Sequence, residues 1–224
     1  MIRVFVVVEG QTEESFVSRV VAPEFWGKQI FITPRLLGRP GHRGGRVNYE
    51  RVRGDVLRLL KEQRSAYCTM LADYYGLGKG FPGTPASEGL TDPNKARLIE
   101  SAIKQDINEL VPELRPDLRF IPYLQLHEYE GLLFSDPAAF ASGINQAHLT
   151  QRFRKIRDQF ETPEDINNSP ETAPSKRVIQ AYAGYRKVIE GTQAALAVGL
   201  RAMRAECPHF RDWPETLETL KPLT

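Results

Sequence analysis

Residues 2–8 read IRVFVVV and run into Glu9, and this stretch decides the fold. It is almost continuously apolar and rich in β-branched residues, which is the pattern of a strand buried on both faces of a parallel sheet. Residues 11–21 then show an apolar side at helical spacing, with Thr12 as a candidate cap and Pro23 as the expected end of a helix. A strand followed at once by a helix indicates an α/β fold.

The same alternation continues to about residue 126. Further strands are predicted over residues 29–37, 67–72 and 118–126, and helices over residues 49–63 and 93–110. After Glu130 the pattern turns helical, with helices predicted over residues 148–160, 176–190, 192–206 and 213–220. We therefore expect a parallel-rich sheet of about four strands flanked by helices over residues 1–136. Residues 137–224 are expected to form a helical C-terminal extension packed on it.

Composition narrows the class of protein. The 224 residues are 41% hydrophobic and 26% charged, with a formal net charge of +2, so no global basic field indicates nucleic acid. The two cysteines, Cys68 and Cys207, lie too far apart to suggest a metal motif or a disulfide framework. No cleavable signal and no run long enough to span a bilayer is visible, so a cytoplasmic protein without membrane contact is expected.

Acidic residues stand where three of the predicted strands end. Glu9 closes the first strand, Asp73 the third, and His127-Glu128 the fourth. The carboxyl ends of parallel strands share one edge of the sheet, where open α/β sheets bind ligands. Converging carboxylates bind Mg²⁺ or Mn²⁺, and Glu13 and Glu130 stand close enough in sequence to contribute.

Each of these residues also has an ordinary interpretation. Asp73 fits a turn residue, Glu13 fits the first turn of a helix, and a single histidine such as His127 is more often structural than functional. The coincidence at three strand ends favours a metal site held by Glu9, Asp73 and Glu128, which suits hydrolysis of a phosphodiester.

Basic residues near this edge are candidate phosphate ligands. The loop of residues 38–45, GRPGHRGG, and its flank carry Arg39, Arg43 and Arg46, but no GK[ST] follows, so it is not a P-loop. Lys176 and Arg177 stand at the start of a predicted helix, whose free N–H groups also favour phosphate. An exposed, solvated helix start is the other interpretation of these two residues.

Three motifs resemble the toprim fold, the metal-binding catalytic domain of topoisomerases, primases and the overcoming-lysogenization-defect nucleases. They are VEGQTE (residues 8–13), LADYYG (residues 71–76) and HEYEGLLFSD (residues 127–136). The whole chain resembles more closely a family of small bacterial toprim-like proteins, which also carry FPG near Phe81, PSKR at residues 174–177 and CPHFRDW at residues 207–213.

The resemblance implies roles for individual residues. Glu9, with Gly10 behind it, would be the signature glutamate, a general acid or base beside the metal, and Asp73 the first acid of an Asp-x-Asp motif that binds Mg²⁺ or Mn²⁺. Tyr75 stands in place of the second aspartate. Either Glu128 or Glu130 then supplies the missing charge, or the site is silent.

Two functions follow from the resemblance. The first is a metal-dependent nuclease or other phosphodiester-processing enzyme, acting on DNA rather than RNA, with an ATPase partner in phage defence or DNA maintenance. The second is a catalytically degenerate toprim-like module that binds nucleic acid or recruits a partner.

Overall fold

The computed structural model describes residues 1–38, 48–78, 80–87, 92–167 and 172–223. These residues contain one sheet of four parallel strands in the spatial order β2-β1-β3-β4. The strands are β1 (Ile2–Val8), β2 (Ile30–Leu36), β3 (Tyr67–Asp73) and β4 (Phe120–Gln125). The predicted α/β class is confirmed.

Helices flank the sheet and make up most of the C-terminal part. The helices that precede the end of β4 are α1 (Gln11–Phe16), α2 (Pro23–Trp26), α3 (Tyr49–Glu62), α4 (Asp92–Leu110) and α5 (Pro116–Arg119). Those that follow it are α6 (Glu130–Leu133), α7 (Pro137–Gly143), α8 (Thr150–Arg157), α9 (Pro174–Ala181), α10 (Thr192–Glu206) and α11 (Pro208–Glu218). Two π-helical turns, Val17–Val21 and Lys187–Gly191, follow α1 and precede α10.

Strand β1 contributes to a core on each face of the sheet, because side chains alternate along a strand. Val4, Val6 and Val8 join one core, together with apolar residues of α1, α6, α7, α10 and α11. Phe5 and Val7 join the other, together with apolar residues of α3 and α4. The continuous apolar run that indicated a doubly buried strand therefore matches its environment.

The C-terminal helices share the first core with the sheet. Trp213 of α11 donates from Nε1 to Thr69 Oγ1 of β3 at 2.9 Å, and its ring stacks on Tyr123 of β4 with centroids 5.1 Å apart. His209 Nε2 lies 3.0 Å from the carbonyl oxygen of Leu124. One continuous core thus crosses the predicted boundary between residues 136 and 137, and that boundary stays a prediction.

The helix predicted over residues 176–190 is wrong. Helix α9 ends at Ala181, residues 182–186 are not helical, and a π-helical turn begins at Lys187. Gly184 lies in this break, where a Cβ atom would stand 2.9 Å from the ring of Tyr182. The apolar spacing across residues 178–189 suggested one helix, but the close contact at Gly184 requires a turn.

Several element boundaries also differ from the prediction. Pro23 does not end the first helical run but begins α2, since proline fits the first turn of a helix. Residues 118 and 119 belong to α5 rather than to β4. The last helix begins at Pro208 instead of Trp213. No helix within the described ranges combines the length and the apolarity that a bilayer crossing requires.

Candidate functional site

The register of the sheet brings the predicted acids to one edge. Val8 pairs with Leu71, and Asp73 pairs with Gln125, so the chain leaves β1, β3 and β4 at nearly the same level. Glu9 follows β1, Asp73 ends β3, and Glu128 lies three residues beyond β4. This is the arrangement that the strand ends predicted.

Glu13 and Glu9 lie where β1 passes into α1. Gly10 is the N-cap of α1, and its N–H donates to Glu13 Oε2 at 2.9 Å, so Glu13, rather than Thr12, caps the helix. A Cβ on Gly10 would lie 3.2 Å from that oxygen, so the contact is tight. Burial, followed by the charge of Glu13, raises the pKa of Glu9, and Lys187 opposes the shift.

Asp73 joins the end of β3 to the segment after β4. Its Oδ1 accepts a hydrogen bond from the backbone N–H of Tyr129 at 3.0 Å. Burial raises the pKa of Asp73 well above its ordinary value, and the charges of Glu13 and Glu130 raise it further. Because Asp73 interacts with acids from α1 and α6, the carboxyl groups of separate elements form one electrostatic cluster.

Glu128 and Glu130 are separated by the start of a short helix. Glu128 Oε2 accepts from the N–H of Ser175 in the first turn of α9 at 2.9 Å. Glu130 begins α6 and is fully buried, and its Oε1 has no hydrogen-bond partner among the described residues. Burial raises the pKa of Glu130. A buried carboxylate oxygen left without a partner is costly, and a bound ion is one of the arrangements that would satisfy it.

Lys187 is the residue that the sequence analysis missed. Its Nζ lies 3.0 Å from Glu130 Oε2. Burial alone would lower the pKa of Lys187, but the charges of Glu130, Glu128 and Asp73 raise it above its ordinary value. The ammonium group is therefore the cation of the acidic cluster. The sequence contained one signal for this. Gly184 lies inside the predicted helix, and a glycine there can mark a break that separates Lys187 from the helix.

The donor atoms of the cluster fit a hard divalent cation, but the fit is incomplete. Carboxylate oxygens are the ligands of Mg²⁺ and Mn²⁺. Glu130 Oε1, which has no hydrogen-bond partner among the described residues, would be available to bind such an ion. Within the part of the chain that the structure describes, however, no three Asp, Glu, His or Cys side chains form a group that could hold a metal ion. In each of Glu13, Asp73 and Glu128, one carboxylate oxygen instead accepts a hydrogen bond from a backbone N–H. The metal site stays a prediction.

His127 and Tyr75 lie beside the cluster and face each other. His127 is buried and has a left-handed backbone with φ of 58°, and its Nε2 lies 3.5 Å from Asp92 Oδ2. Burial lowers the pKa of His127, although Asp92 opposes the shift. The ring of Tyr75 packs on the imidazole with centroids 5.1 Å apart. His127 thus supports a neighbouring side chain.

The predicted phosphate ligands fall into two groups. Arg39, Arg43 and Arg46 lie outside the described residues. Lys176 is exposed in the first turn of α9, the turn that Glu128 contacts. Arg177 donates from Nε to the carbonyl oxygen of Thr172 at 2.7 Å, and its guanidinium lies over the ring of Phe160. A phosphate-binding role for these residues stays a prediction.

Comparison with known proteins shows the family. The chain belongs to the family described as Domain of unknown function (DUF4276), whose model matches residues 8–218. Molybdenum cofactor biosynthesis protein 1 of Mus musculus is 27% identical over 151 residues, which cover 64% of this chain and 22% of that protein. This chain therefore spans about a fifth of the length of that curated relative.

A solved structure is also similar. The C-terminal region of the OLD protein of Xanthomonas campestris pv. campestris matches with a TM-score of 0.39 and 14% identity, covering 96% of this chain and 97% of that one. A similarity of this degree carries no argument about chemistry. The function is therefore argued from the residues of the site.

Proposed function

We propose that this protein hydrolyses phosphodiester bonds of nucleic acid with Mg²⁺ or Mn²⁺ bound at the carboxyl edge of β1, β3 and β4. The observation that carries the proposal is the environment of Glu130, which is fully buried with one carboxylate oxygen unpartnered among the described residues. Burial is the largest cause of the raised pKa of Asp73, and the charges of Glu13, Glu130 and Glu128 add to it. A divalent cation would relieve this repulsion.

Five carboxylates of the cluster would hold the ion, and Glu9 would also transfer a proton beside it. Glu9, Glu13, Asp73, Glu128 and Glu130 offer the carboxylate oxygens. The ion would polarise a phosphoryl oxygen and lower the pKa of a bound water.

Lys187 and Glu9 have complementary tasks in this proposal. The ammonium group of Lys187 is a fixed positive charge that would stabilise the negative charge developing on the phosphoryl oxygens. The carboxyl group of Glu9 has a raised pKa, which makes it a better proton acceptor than an ordinary glutamate.

The test is cleavage of labelled oligonucleotides by the purified protein. We expect cleavage with Mg²⁺ or Mn²⁺ and none with EDTA. Glu9→Gln should reduce the rate at least about a hundredfold, because it removes a general acid or base. Asp73→Asn and Glu130→Gln should reduce it at least as much, because each removes a ligand of the ion. Glu14→Gln is the matched control, since Glu14 is also an acid of α1 but does not contribute to the shifted pKa values of the cluster. Cleavage that survives EDTA, or that all three variants retain, would contradict the proposal.

A second candidate is a silent binding module that recruits a partner such as an ATPase. It is favoured by the ion pair between Lys187 and Glu130, because an intramolecular cation makes a metal less necessary. Such a module would show no divalent-ion binding by calorimetry. Its partner would also copurify equally well with wild type and with Asp73→Asn. The enzyme, in contrast, must bind the divalent ion, and Asp73→Asn must abolish that ion binding.

A further inference from the structure

Tyr75 is an exposed aromatic residue at the edge of the acidic cluster. It lies in the 3-10 turn Tyr74–Gly76, which directly follows β3, and 44% of its surface is exposed. The position is the one at which the toprim resemblance expects an aspartate. A large aromatic ring is an unusual replacement for a carboxylate, and its surroundings show what it does.

The ring of Tyr75 rests on a fixed support. It packs on the imidazole of His127 with centroids 5.1 Å apart and planes tilted by 37°. The backbone N–H of Tyr75 donates to the carbonyl oxygen of His127 at 3.3 Å. His127 itself is held between Asn167, 3.4 Å from Nδ1, and Asp92, 3.5 Å from Nε2. The exposed face of Tyr75 is therefore preordered, and ordering it on ligand binding costs little.

The same turn borders the site of the proposed reaction. Tyr75 lies two residues after Asp73, which limits their Cα separation to about 7.6 Å. On its other side, a Cβ built on Gly76 would stand 3.0 Å from Glu9 Oε2, so Gly76 packs closely against that carboxylate. The turn that carries Tyr75 therefore lies directly beside both Asp73 and Glu9.

A base, rather than a phosphate, is the group that suits this ring. The uncharged ring offers no positive charge or hydrogen-bond fork to a phosphate, whereas its exposed face attracts any base through stacking. A tyrosine ring is uncharged at neutral pH, because its phenol ordinarily titrates at about pH 10. Bases in a duplex already stack on one another and offer no free face.

We propose that Tyr75 is the stacking platform for an unpaired base next to the scissile phosphate, so that the substrate is single-stranded nucleic acid. The inference rests on the proposed function, and it goes beyond it by naming the substrate form and the residue that selects it. The position of the second aspartate thus serves specificity instead of metal binding.

The experiment measures binding without cleavage. A fluorescein-labelled 12-nucleotide DNA strand and its duplex are titrated with protein in Ca²⁺, and fluorescence anisotropy gives the dissociation constants. We expect Tyr75→Ala to weaken binding of the single strand about tenfold, in line with the loss of one stacked base, and to leave duplex binding within twofold. Tyr75→Phe and Tyr75→Trp should bind as wild type. Trp26→Ala is the control, because Trp26 is an exposed aromatic residue near the opposite edge, before β2 begins.

A second measurement uses wild-type protein alone. An abasic site is moved along the single strand one position at a time, and only one position should reproduce the loss seen with Tyr75→Ala. Equal loss of single-strand and duplex binding in Tyr75→Ala, binding by Tyr75→Phe as weak as by Tyr75→Ala, or no position effect would overturn the inference. If the wild type binds single strands through Tyr75 but never cleaves them, the stacking role of Tyr75 is supported and the proposed nuclease activity is contradicted. If the wild type cleaves and Tyr75→Ala binds unchanged, the nuclease activity is supported and the stacking role is contradicted.

Discussion

Several acids at the sheet edge are buried close to one another, so their negative charges repel. Glu13, Asp73 and Glu128 each relieve this repulsion in part by accepting a hydrogen bond from a backbone N–H, and Glu130 by its ion pair with Lys187. The pKa values of Glu9, Asp73 and Glu130 nevertheless remain raised. Residues that destabilise the folded state in this way are typical of functional sites.

The repulsion predicts that Asp73→Asn stabilises the protein. The amide oxygen can still accept from Tyr129, while the charge that Glu13 and Glu130 oppose is gone. We expect the free energy of unfolding at pH 7.5 to rise by about 0.5–2 kcal/mol, measured by urea denaturation. Asp117→Asn is the control, because Asp117 is an exposed aspartate of α5. A lower stability of Asp73→Asn at pH 7.5 would show that the carboxylate is not under strain.

The sign of the pH dependence follows from the raised pKa. The stability contributed by protonated Asp73 is complete below the pKa of the unfolded chain, near 3.8, and is lost as the pH rises through the higher folded value. The advantage of Asp73→Asn over wild type should therefore grow from pH 4 to pH 7.5.

The positions predicted from the sequence agree with the structure for the residues that end a strand or closely follow one. Glu9, Asp73 and Glu128 share an edge because the carboxyl ends of parallel strands must, and this is independent of contacts far along the chain. Lys187 comes to the same edge only through tertiary packing of a turn, so its proximity to Glu130 left no local signal beyond Gly184.

At the level of elements, the π-helical turn Lys187–Gly191 is what positions the cation of the site. Such turns are less stable than α-helix and are frequent at functional sites. This turn is held by Tyr129, whose hydroxyl donates to the carbonyl oxygen of Gly191 at 3.1 Å. The prediction of one helix over residues 176–190 failed because amphipathic spacing does not reveal the close contact between Gly184 and the ring of Tyr182.

Gly191→Ala should therefore disturb the site without removing a charge. A Cβ at this position would lie 2.8 Å from the hydroxyl oxygen of Tyr185, which is buried and has no hydrogen-bond partner among the described residues. We expect a loss of about 1–3 kcal/mol in the free energy of unfolding, together with reduced cleavage.

Tyr185→Phe provides the test of that mechanism. Alone it should be neutral or slightly stabilising, since it removes an unsatisfied buried hydroxyl. Combined with Gly191→Ala it should recover most of the lost stability, a non-additivity of about 0.5–3 kcal/mol in a double-mutant cycle. Additive effects would place the cause of the loss elsewhere than at the contact between these two residues.

For the whole molecule, the sheet was predictable and the way in which its C-terminal helices complete it was not. Each strand carries its own signal, an apolar run bounded by a turn. The packing of α10 and α11 on β1, β3 and β4 depends on pairs such as Trp213 and Thr69, which are 144 residues apart in the chain. The domain boundary predicted near residue 136, where the sequence pattern becomes helical, therefore divides residues that share one core on one face of the sheet.

That shared core predicts that the chain unfolds as one cooperative unit. Trp26→Phe leaves Trp213 as the sole tryptophan, and its ring is buried against Tyr123 of the sheet. Its fluorescence and the far-ultraviolet circular dichroism should then follow the same urea transition, because separating α11 from the sheet opens the core that holds both. If the fluorescence changed at a clearly lower urea concentration, residues 137–224 would be a separate unit that can detach while the sheet stays folded.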